Sequence, residues 1–231
     1  MHDGPRCFAL VPCAGIGARA GAHGPKQYAM MAGQSVVAHT LDALAAVAEL
    51  SATLVVLAED DNQFEEQAPR FRGPRAWVAR CGGASRGASV GAGLVELRQR
   101  GAQGHDWVLV HDAARCLLRP IWVQRLMEAC WNDAVGGLLA LPLADTLKAA
   151  VGQRVHATLP RHDKWLAQTP QMFRLGLLQE ALEQVGDAVT DEASAIEAMG
   201  LQPLLVAGDQ ENLKLTWPAD FALAQRLLET R

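Results

Sequence analysis

A chain of 231 residues, half of them hydrophobic, suits one large α/β domain with a sizeable buried core. Its formal charge of −4 excludes a broad basic surface for nucleic acid, so anionic substrates must be met by a few focused cations. No stretch reaches the roughly 18–20 apolar residues of a membrane span, and Met1-His2-Asp3-Gly4-Pro5 lacks the basic-then-apolar layout of a signal peptide.

A cytoplasmic location is therefore expected. Cys7, Cys13, Cys81, Cys116 and Cys130 are scattered and form no C-x-x-C pair, as free thiols in a reducing compartment would be. The seven histidines lack H-x-x-x-H spacing, so no structural zinc is expected.

In chain order, Phe8-Ala9-Leu10-Val11 reads as a buried strand followed by a glycine-rich loop. Apolar residues then recur with helical spacing from Val36 to Leu50, with Ser35 as N-cap. Thr53 to Leu57, Ala76 to Ala79 and Trp107 to Val110 read as further strands, with a helix from Gly87 to Arg100 before the last. Strands alternating with crossover helices predict a mostly parallel, twisted sheet with helices on both faces, a single Rossmann-like domain over residues 1–231.

The periodicity changes after Leu143. Leu147, Ala149 and Val151, then Val155, Ala157 and Leu159, alternate with other residues around Gly152-Gln153-Arg154, which predicts a β-hairpin arm of about 144–161. Its apolar face must be buried, against a partner subunit or its own domain. Helices follow over Leu175 to Val185 and Glu192 to Met199; Thr190 is placed to cap the second, with Asp191 and Glu192 at the positive end of its dipole. Leu204-Leu205-Val206 reads as a late strand, and Pro218 to Glu229 as a closing helix.

The chemistry concentrates between Pro12 and Gln27. Gly15, Gly17, Gly21 and Gly24 let backbone N–H groups approach a phosphate chain, and Arg19 and Lys26 place charge at the two ends of the loop. The segment is too long and broken for the tight G-x-G-x-x-G turn of a nicotinamide site, and it lacks the G-K-S/T ending of a P-loop. Only four of the 21 basic residues are lysine (Lys26, Lys148, Lys164 and Lys214), so a retained lysine suggests a need for a compact ammonium. Asp112, at the end of a strand in His111-Asp112-Ala113-Ala114-Arg115, lies where parallel α/β sheets collect ligands and is the candidate Mg²⁺ ligand. Asp209 and Glu211 are candidates for a second metal contact.

Seven ordered motifs carry a resemblance that spans essentially the whole chain. They are the P-x-A-G-x-G-x-R…P-K-Q loop, Gly82-Gly83…Arg86…Ser89, His111 to Arg115, and Asp145-Thr146-Leu147-Lys148. Gln168-Thr169-Pro170-Gln171, Thr190 to Ser194, and Asn212 to Thr216 complete the series. With these motifs the chain resembles the 2-C-methyl-D-erythritol 4-phosphate cytidylyltransferase family of non-mevalonate isoprenoid synthesis. The resemblance implies Arg19 and Lys26 on the triphosphate, and Pro12, Ala14, Gly15, Gly17, Gly83 and Ser89 around the cytidine nucleotide. It implies Asp112, Ala113, Arg115, Thr146, Thr169 and Thr190 on the sugar-phosphate side, with Lys214 and Arg161 orienting the attacking phosphate. Thr146 and Arg161 belong to an arm that, in the family, reaches a neighbour's site, which implies a homodimer. CTP, 2-C-methyl-D-erythritol 4-phosphate and Mg²⁺ are the implied ligands.

The departures are Cys13 for a small alanine, Cys116 for a proline, Ala84-Ser85 for acids, and Glu211 for an aspartate. None removes a charged catalytic group. A ribitol-5-phosphate cytidylyltransferase would share the CTP loop, and a non-catalytic nucleotide-binding regulator would share the fold but need no such cationic set. With so little chain after the closing helix, no fused cyclodiphosphate synthase is expected.

Overall fold

A computed structural model describes residues 4–15, 24–186 and 190–230. Its centre is a seven-stranded sheet of β1 (Cys7–Pro12), β4 (Ala52–Val56), β5 (Ala76–Ala79), β6 (Trp107–Val110), β7 (Gly136–Pro142), β10 (Trp165–Arg174) and β11 (Leu204–Ala207). The spatial order is β11-β7-β10-β6-β1-β4-β5, and β10 alone runs antiparallel to its neighbours. The short pairs β2 (Met30–Met31) with β3 (Gln34–Ser35), and β8 (Leu147–Val151) with β9 (Arg154–Leu159), form separate two-stranded ribbons.

Both faces of the sheet are covered, as near-continuous apolar strands require. Along β1, Cys7, Ala9 and Val11 point into one core and Phe8 and Leu10 into the other. The first core is closed by α1 (Val36–Ala45), α2 (Phe64–Gln67) and α4 (Pro120–Cys130); the second by α3 (Arg86–Gln99), α5 (Leu175–Val185) and α6 (Glu192–Ala198). The closing helix α7 (Pro218–Glu229) lies on a smaller cluster with Met31, Val36, Cys116 and Leu215. No described helix is long and apolar enough to cross a membrane.

The expected mostly parallel α/β architecture is present, with corrections in detail. The helix expected from Val36 to Leu50 ends at Ala45, although Ser35 does cap it, its Oγ accepting from Ala38 N at 3.2 Å. Thr190 does not cap α6: Asp191 does, its carboxylate accepting from Ser194 N at 3.0 Å while Ser194 Oγ accepts from Asp191 N. Ser85, a departure from the usual acids, caps α3 by accepting from Ala88 N at 3.0 Å. The hairpin turns on Gly152-Gln153, with Val151 paired to Arg154 and Gly152 at a φ of 58°. Strands β7 and β10 and helix α4 were not expected.

Candidate active site

The order β6-β1-β4 places β1 between a strand reached through α1 on one face and a strand reached through α3 on the other. Such a reversal opens a crevice beyond the carboxyl ends of the strands, where ligands of open α/β sheets collect. Here the crevice is a cleft of about 480 Å³, lined by Pro12 to Gly15 after β1, Gly83 to Arg86 at the start of α3, and Asp112 to Ala114 after β6. Lys26 and Lys214 complete it. A larger hollow of about 820 Å³ lies between α1 and residues 66–76, but no expected site residue lines it. Size therefore does not choose between the two; the convergence of the expected site residues on the smaller one does.

Backbone geometry brings these segments together. Cys13 N donates to Val56 O at 2.8 Å, and Gly82 N to Leu57 O at 2.8 Å, so the turns after β1 and β5 lie side by side. Gly82 is required for this approach: a Cβ there would overlap that of Ala14 and come within 2.7 Å of Leu57 O. Gly82→Ala should destabilise the protein by about 1–3 kcal/mol and weaken CTP binding by displacing Ala14. Thermal melts and a CTP titration would check this; an unchanged affinity would separate Ala14 from the nucleotide. Ser89, buried at the base of the same turn, accepts from Gly83 N at 3.1 Å and donates to Ser85 O at 2.9 Å.

Lys26 opens a short 3₁₀ turn, Lys26–Tyr28, and its Nζ donates to Leu215 O at 3.1 Å. Leu215 N in turn donates to Ala114 O, and Arg115 Nη1 to Asn212 O at 2.6 Å. Those two bonds hold the segment after β11 over the Asp112 loop and carry Lys214 to the cleft. Lys214 Nζ then meets Asp112 Oδ2 at 2.7 Å, while Arg86 Nε donates to Asp112 Oδ1 at 2.8 Å. Burial pushes the Asp112 carboxyl up, but Arg86, Lys214 and Arg115 outweigh it and hold the group well below the ordinary carboxylate range. Arg86 also spans the cleft wall to Glu192, with Nη1–Oε1 at 2.6 Å and Nη2–Oε2 at 3.0 Å.

Beneath Asp112 lies a buried polar relay. Asp112 N donates to Thr169 Oγ1 at 3.0 Å, Thr169 Oγ1 bonds His111 Nδ1 at 3.0 Å, and His111 Nε2 faces Arg115 O at 3.3 Å. Burial, as the leading cause, lowers the pKa of His111 to about 4. The folded protein therefore buries a neutral imidazole that the unfolded chain protonates near pH 6.5. Stability contributed above the unfolded value is lost as pH falls through that window, by up to about 3 kcal/mol. Denaturant midpoints measured from pH 7 to 5 should fall with decreasing pH, and a flat profile would contradict the neutral burial of His111.

The described residues among the expected set divide into three groups. Pro12, Ala14, Gly15, Lys26, Gly83, Ser89, Asp112, Ala113 and Lys214 converge on the cleft. Arg115 and Thr169 lie beneath it, buried, with their polar atoms turned to backbone carbonyls and to His111. Thr190 is exposed just before α6, and Thr146 and Arg161 are exposed at the base of the arm, outside the cleft of their own chain. Gly17 and Arg19 lie outside the described residues. Glu211 pairs with Arg119 at 2.8 Å and Asp209 Oδ1 accepts from Glu211 N, which matches solvated loop acids rather than a second metal contact. Arg86 and Glu192 were missed as site residues, although each stood inside one of the motifs.

Comparison with known proteins agrees along the whole chain. The family model described as IspD, 2-C-methyl-D-erythritol 4-phosphate cytidylyltransferase, matches residues 7–230. An enzyme of that description from Burkholderia multivorans is 52% identical over 229 residues, covering 97% of this chain and 96% of the relative. A bifunctional IspD/IspF enzyme of Albidiferax ferrireducens is 60% identical over 227 residues, 98% of this chain but 54% of that protein, so the chain spans about half its length. A crystal structure titled 4-diphosphocytidyl-2C-methyl-D-erythritol synthase superposes with a TM-score of 0.86 at 40% identity, covering 97% of this chain and 98% of that one. The chain belongs to the 2-C-methyl-D-erythritol 4-phosphate cytidylyltransferase family.

Proposed function

We propose that this chain transfers CMP from CTP to 2-C-methyl-D-erythritol 4-phosphate, giving the CDP-methylerythritol intermediate of non-mevalonate isoprenoid synthesis and pyrophosphate. The observation that carries the reading is the meeting of Lys26, Lys214, Arg86 and Asp112 at the one cleft edged by the Pro12–Gly15 loop, in a member of this family. A phosphate oxygen of the sugar-alcohol phosphate bonds to the α-phosphorus of CTP. The bond from that phosphorus to the α,β-bridging oxygen breaks, and the electron pair leaves with pyrophosphate. The attacking phosphate is already ionised near neutral pH, so no protein nucleophile is needed. Positioning and charge neutralisation carry the catalysis.

Lys26 and Arg19 neutralise the triphosphate, Pro12 to Gly17, Gly83 and Ser89 frame the nucleotide, and Lys214 and Arg161 orient the attacking phosphate. Asp112, Ala113, Arg115, Thr169 and Thr190 frame the sugar phosphate. Among the described residues, Asp112 is the one acidic side chain lining the cleft, and no cluster of three potential metal-ligating side chains occurs. That donor set fits Mg²⁺ carried on the triphosphate, since magnesium is commonly held by one or two carboxylates together with substrate phosphates. When bound, the ion would supply further neutralisation of the leaving group beside Asp112.

The arm supports a homodimer in which Thr146 and Arg161 serve the partner's site. Val151, Val155 and Leu159 are exposed along it, with Val151 70% and Val155 65% accessible, and Trp165 and Leu166 are exposed at the start of β10, apolar surface suited to a second copy. A location in the cytoplasm accords with the free cysteines. Pyrophosphate release measured with CTP and Mg²⁺ should require 2-C-methyl-D-erythritol 4-phosphate. Release only with ribitol 5-phosphate, or with neither alcohol phosphate, would overturn this reading.

A further inference from the structure

The mechanism above gives no role to Arg86 or to its partner Glu192. Glu192 is 1% exposed, at the first turn of α6, and its two oxygens take both terminal nitrogens of Arg86. Burying a carboxylate is costly, and a buried ion pair seldom adds net stability over apolar packing. Its geometry, however, has a definite effect on its neighbour. Each Nη keeps a second proton, but the end-on fork with Glu192 sets the guanidinium so that Nε alone bonds Asp112, at Oδ1.

We infer that Glu192 is a positioning residue that holds Arg86 in the orientation where it meets Asp112 Oδ1 alone, and so keeps Oδ2 open to Lys214. A guanidinium freed of Glu192 has the planar fork that matches a carboxylate bidentately. Arg86 makes no other side-chain hydrogen bond among the described residues: all three go to Asp112 or Glu192. Lys214 is the more exposed partner: its side chain is 43% exposed against 27% for Arg86, which Glu192 also holds. The arrangement makes Arg86 the fixed partner of Asp112 and leaves Lys214 to exchange Oδ2 for an incoming phosphate. Arg115 Nε, buried without a hydrogen bond and 3.9 Å from Oδ2, keeps positive charge beside that oxygen after the exchange.

The catalytic part of this inference rests on the reading of function given above, and the structural part does not. A crystal structure of unliganded Glu192→Gln needs no substrate. The amide would set an NH₂ against one Arg86 nitrogen, so Arg86 is expected to turn both Nη atoms to Asp112 and displace Lys214. An Arg86 that still meets only Oδ1 would overturn the inference. In steady-state assays the same variant should raise KM for the alcohol phosphate at least 10-fold and leave KM for CTP within about 2-fold. In an Arg86→Met background, where Glu192 has no cation to restrain, Glu192→Gln should change kcat/KM by less than about 2-fold. An equal loss in both backgrounds, or a loss confined to CTP, would assign Glu192 to the scaffold of α6 instead. If Glu192→Gln does not fold, Glu192→Asp provides the second test, because a carboxylate one methylene shorter keeps the charge but cannot hold the same end-on fork on Arg86. Glu192→Asp should show the same rise in KM for the alcohol phosphate, and unchanged kinetics would overturn the inference. Absence of pyrophosphate release by the wild-type protein would sink the proposed function while leaving the crystallographic outcome decisive for Glu192.

Discussion

Lys26→Ala should lower kcat by about 10²-fold or more, the scale of losing one preorganised donor at a centre of developing charge, while the fold survives. The turn that carries Lys26 does not depend on its ammonium. Gln27 Nε2 donates to Cys13 O at 3.1 Å, Tyr28 Oη donates to Asp61 Oδ2 at 2.5 Å, and Tyr28 N donates to Pro25 O at 2.9 Å. Asp61 Oδ1 is itself fixed by Gln63 N and Phe64 N at the start of α2. Alanine therefore removes a charge from a position that stays in place, and what is lost is neutralisation of the triphosphate. Lys26→Arg should recover only part of the rate, because a planar fork does not reproduce a compact ammonium at that distance. Pyrophosphate release under saturating CTP, with a thermal melt as the control for folding, decides the matter. Near-normal turnover in a folded Lys26→Ala protein would remove Lys26 from the proposed mechanism.

The sparing use of lysine in the sequence is explained in part by this arrangement. Lys26 and Lys214 both line the cleft, whereas Lys148 lies on the arm and donates to Thr158 Oγ1 across the hairpin. Strands β1, β4, β5, β6 and β11 were legible because each is a short apolar run bounded by polar or turn residues. Strand β10 was not legible for a physical reason. It contains Gln168, Thr169 and Pro170, a cis bond between the last two, and a register shift between Ala167 and Gln171, so neither alternation nor an apolar run survives. Its antiparallel pairing with β6 and β7 is tertiary information. Strand β7 begins at Gly136-Gly137 and ends at Pro142, all weak strand formers. For α4 the signal was present: Trp122, Val123, Leu126, Met127 and Cys130 are its buried face, with Pro120 in the first turn, and the periodicity could have been read.

The site divides in the same way. Residues within a glycine-rich loop or at a strand end announce themselves locally, as Lys26 and Asp112 do. Arg86 and Glu192 are separated by 106 residues, and their chemistry exists only after α3 and α6 have brought their first turns together. In sequence Glu192 reads as an ordinary acid suited to the start of a helix. Its burial reverses that meaning: burial pushes the carboxyl up while Arg86 pulls it down. The exposed apolar residues of the arm show the converse. Their period-two pattern was legible as a hairpin, but a register shift between Ala149 and Ala150 pairs Val155 with Ala150 and Val151 with Arg154, and both valines remain open in the single chain.

Asp112→Asn is expected to cost both activity and stability, and the two losses have one origin. The carboxylate lies 2.8 Å from Arg86 Nε, 2.7 Å from Lys214 Nζ and 3.9 Å from Arg115 Nε. Asparagine removes the negative charge shared by three cations and sets an NH₂ group against one of them. Breaking a buried pair by removing one partner costs roughly 3–5 kcal/mol, and for a chain of this size each kcal/mol lowers Tm by about 2–4 °C, so Tm should fall by roughly 6 °C or more. Turnover should fall by at least about 10²-fold, because Lys214 and Arg86 lose the group that orients them. The pH dependence separates charge from packing. The folded pKa of Asp112 is depressed, so its contribution is present above the unfolded value near 3.9 and is lost only as pH falls through the folded one. Between pH 7 and 5 the variant's stability should therefore run parallel to that of the wild type, displaced downward by a constant amount, with the His111 slope present in both. Curves that converge on approach to pH 5 would show that Asp112 is not held ionised by its three cations.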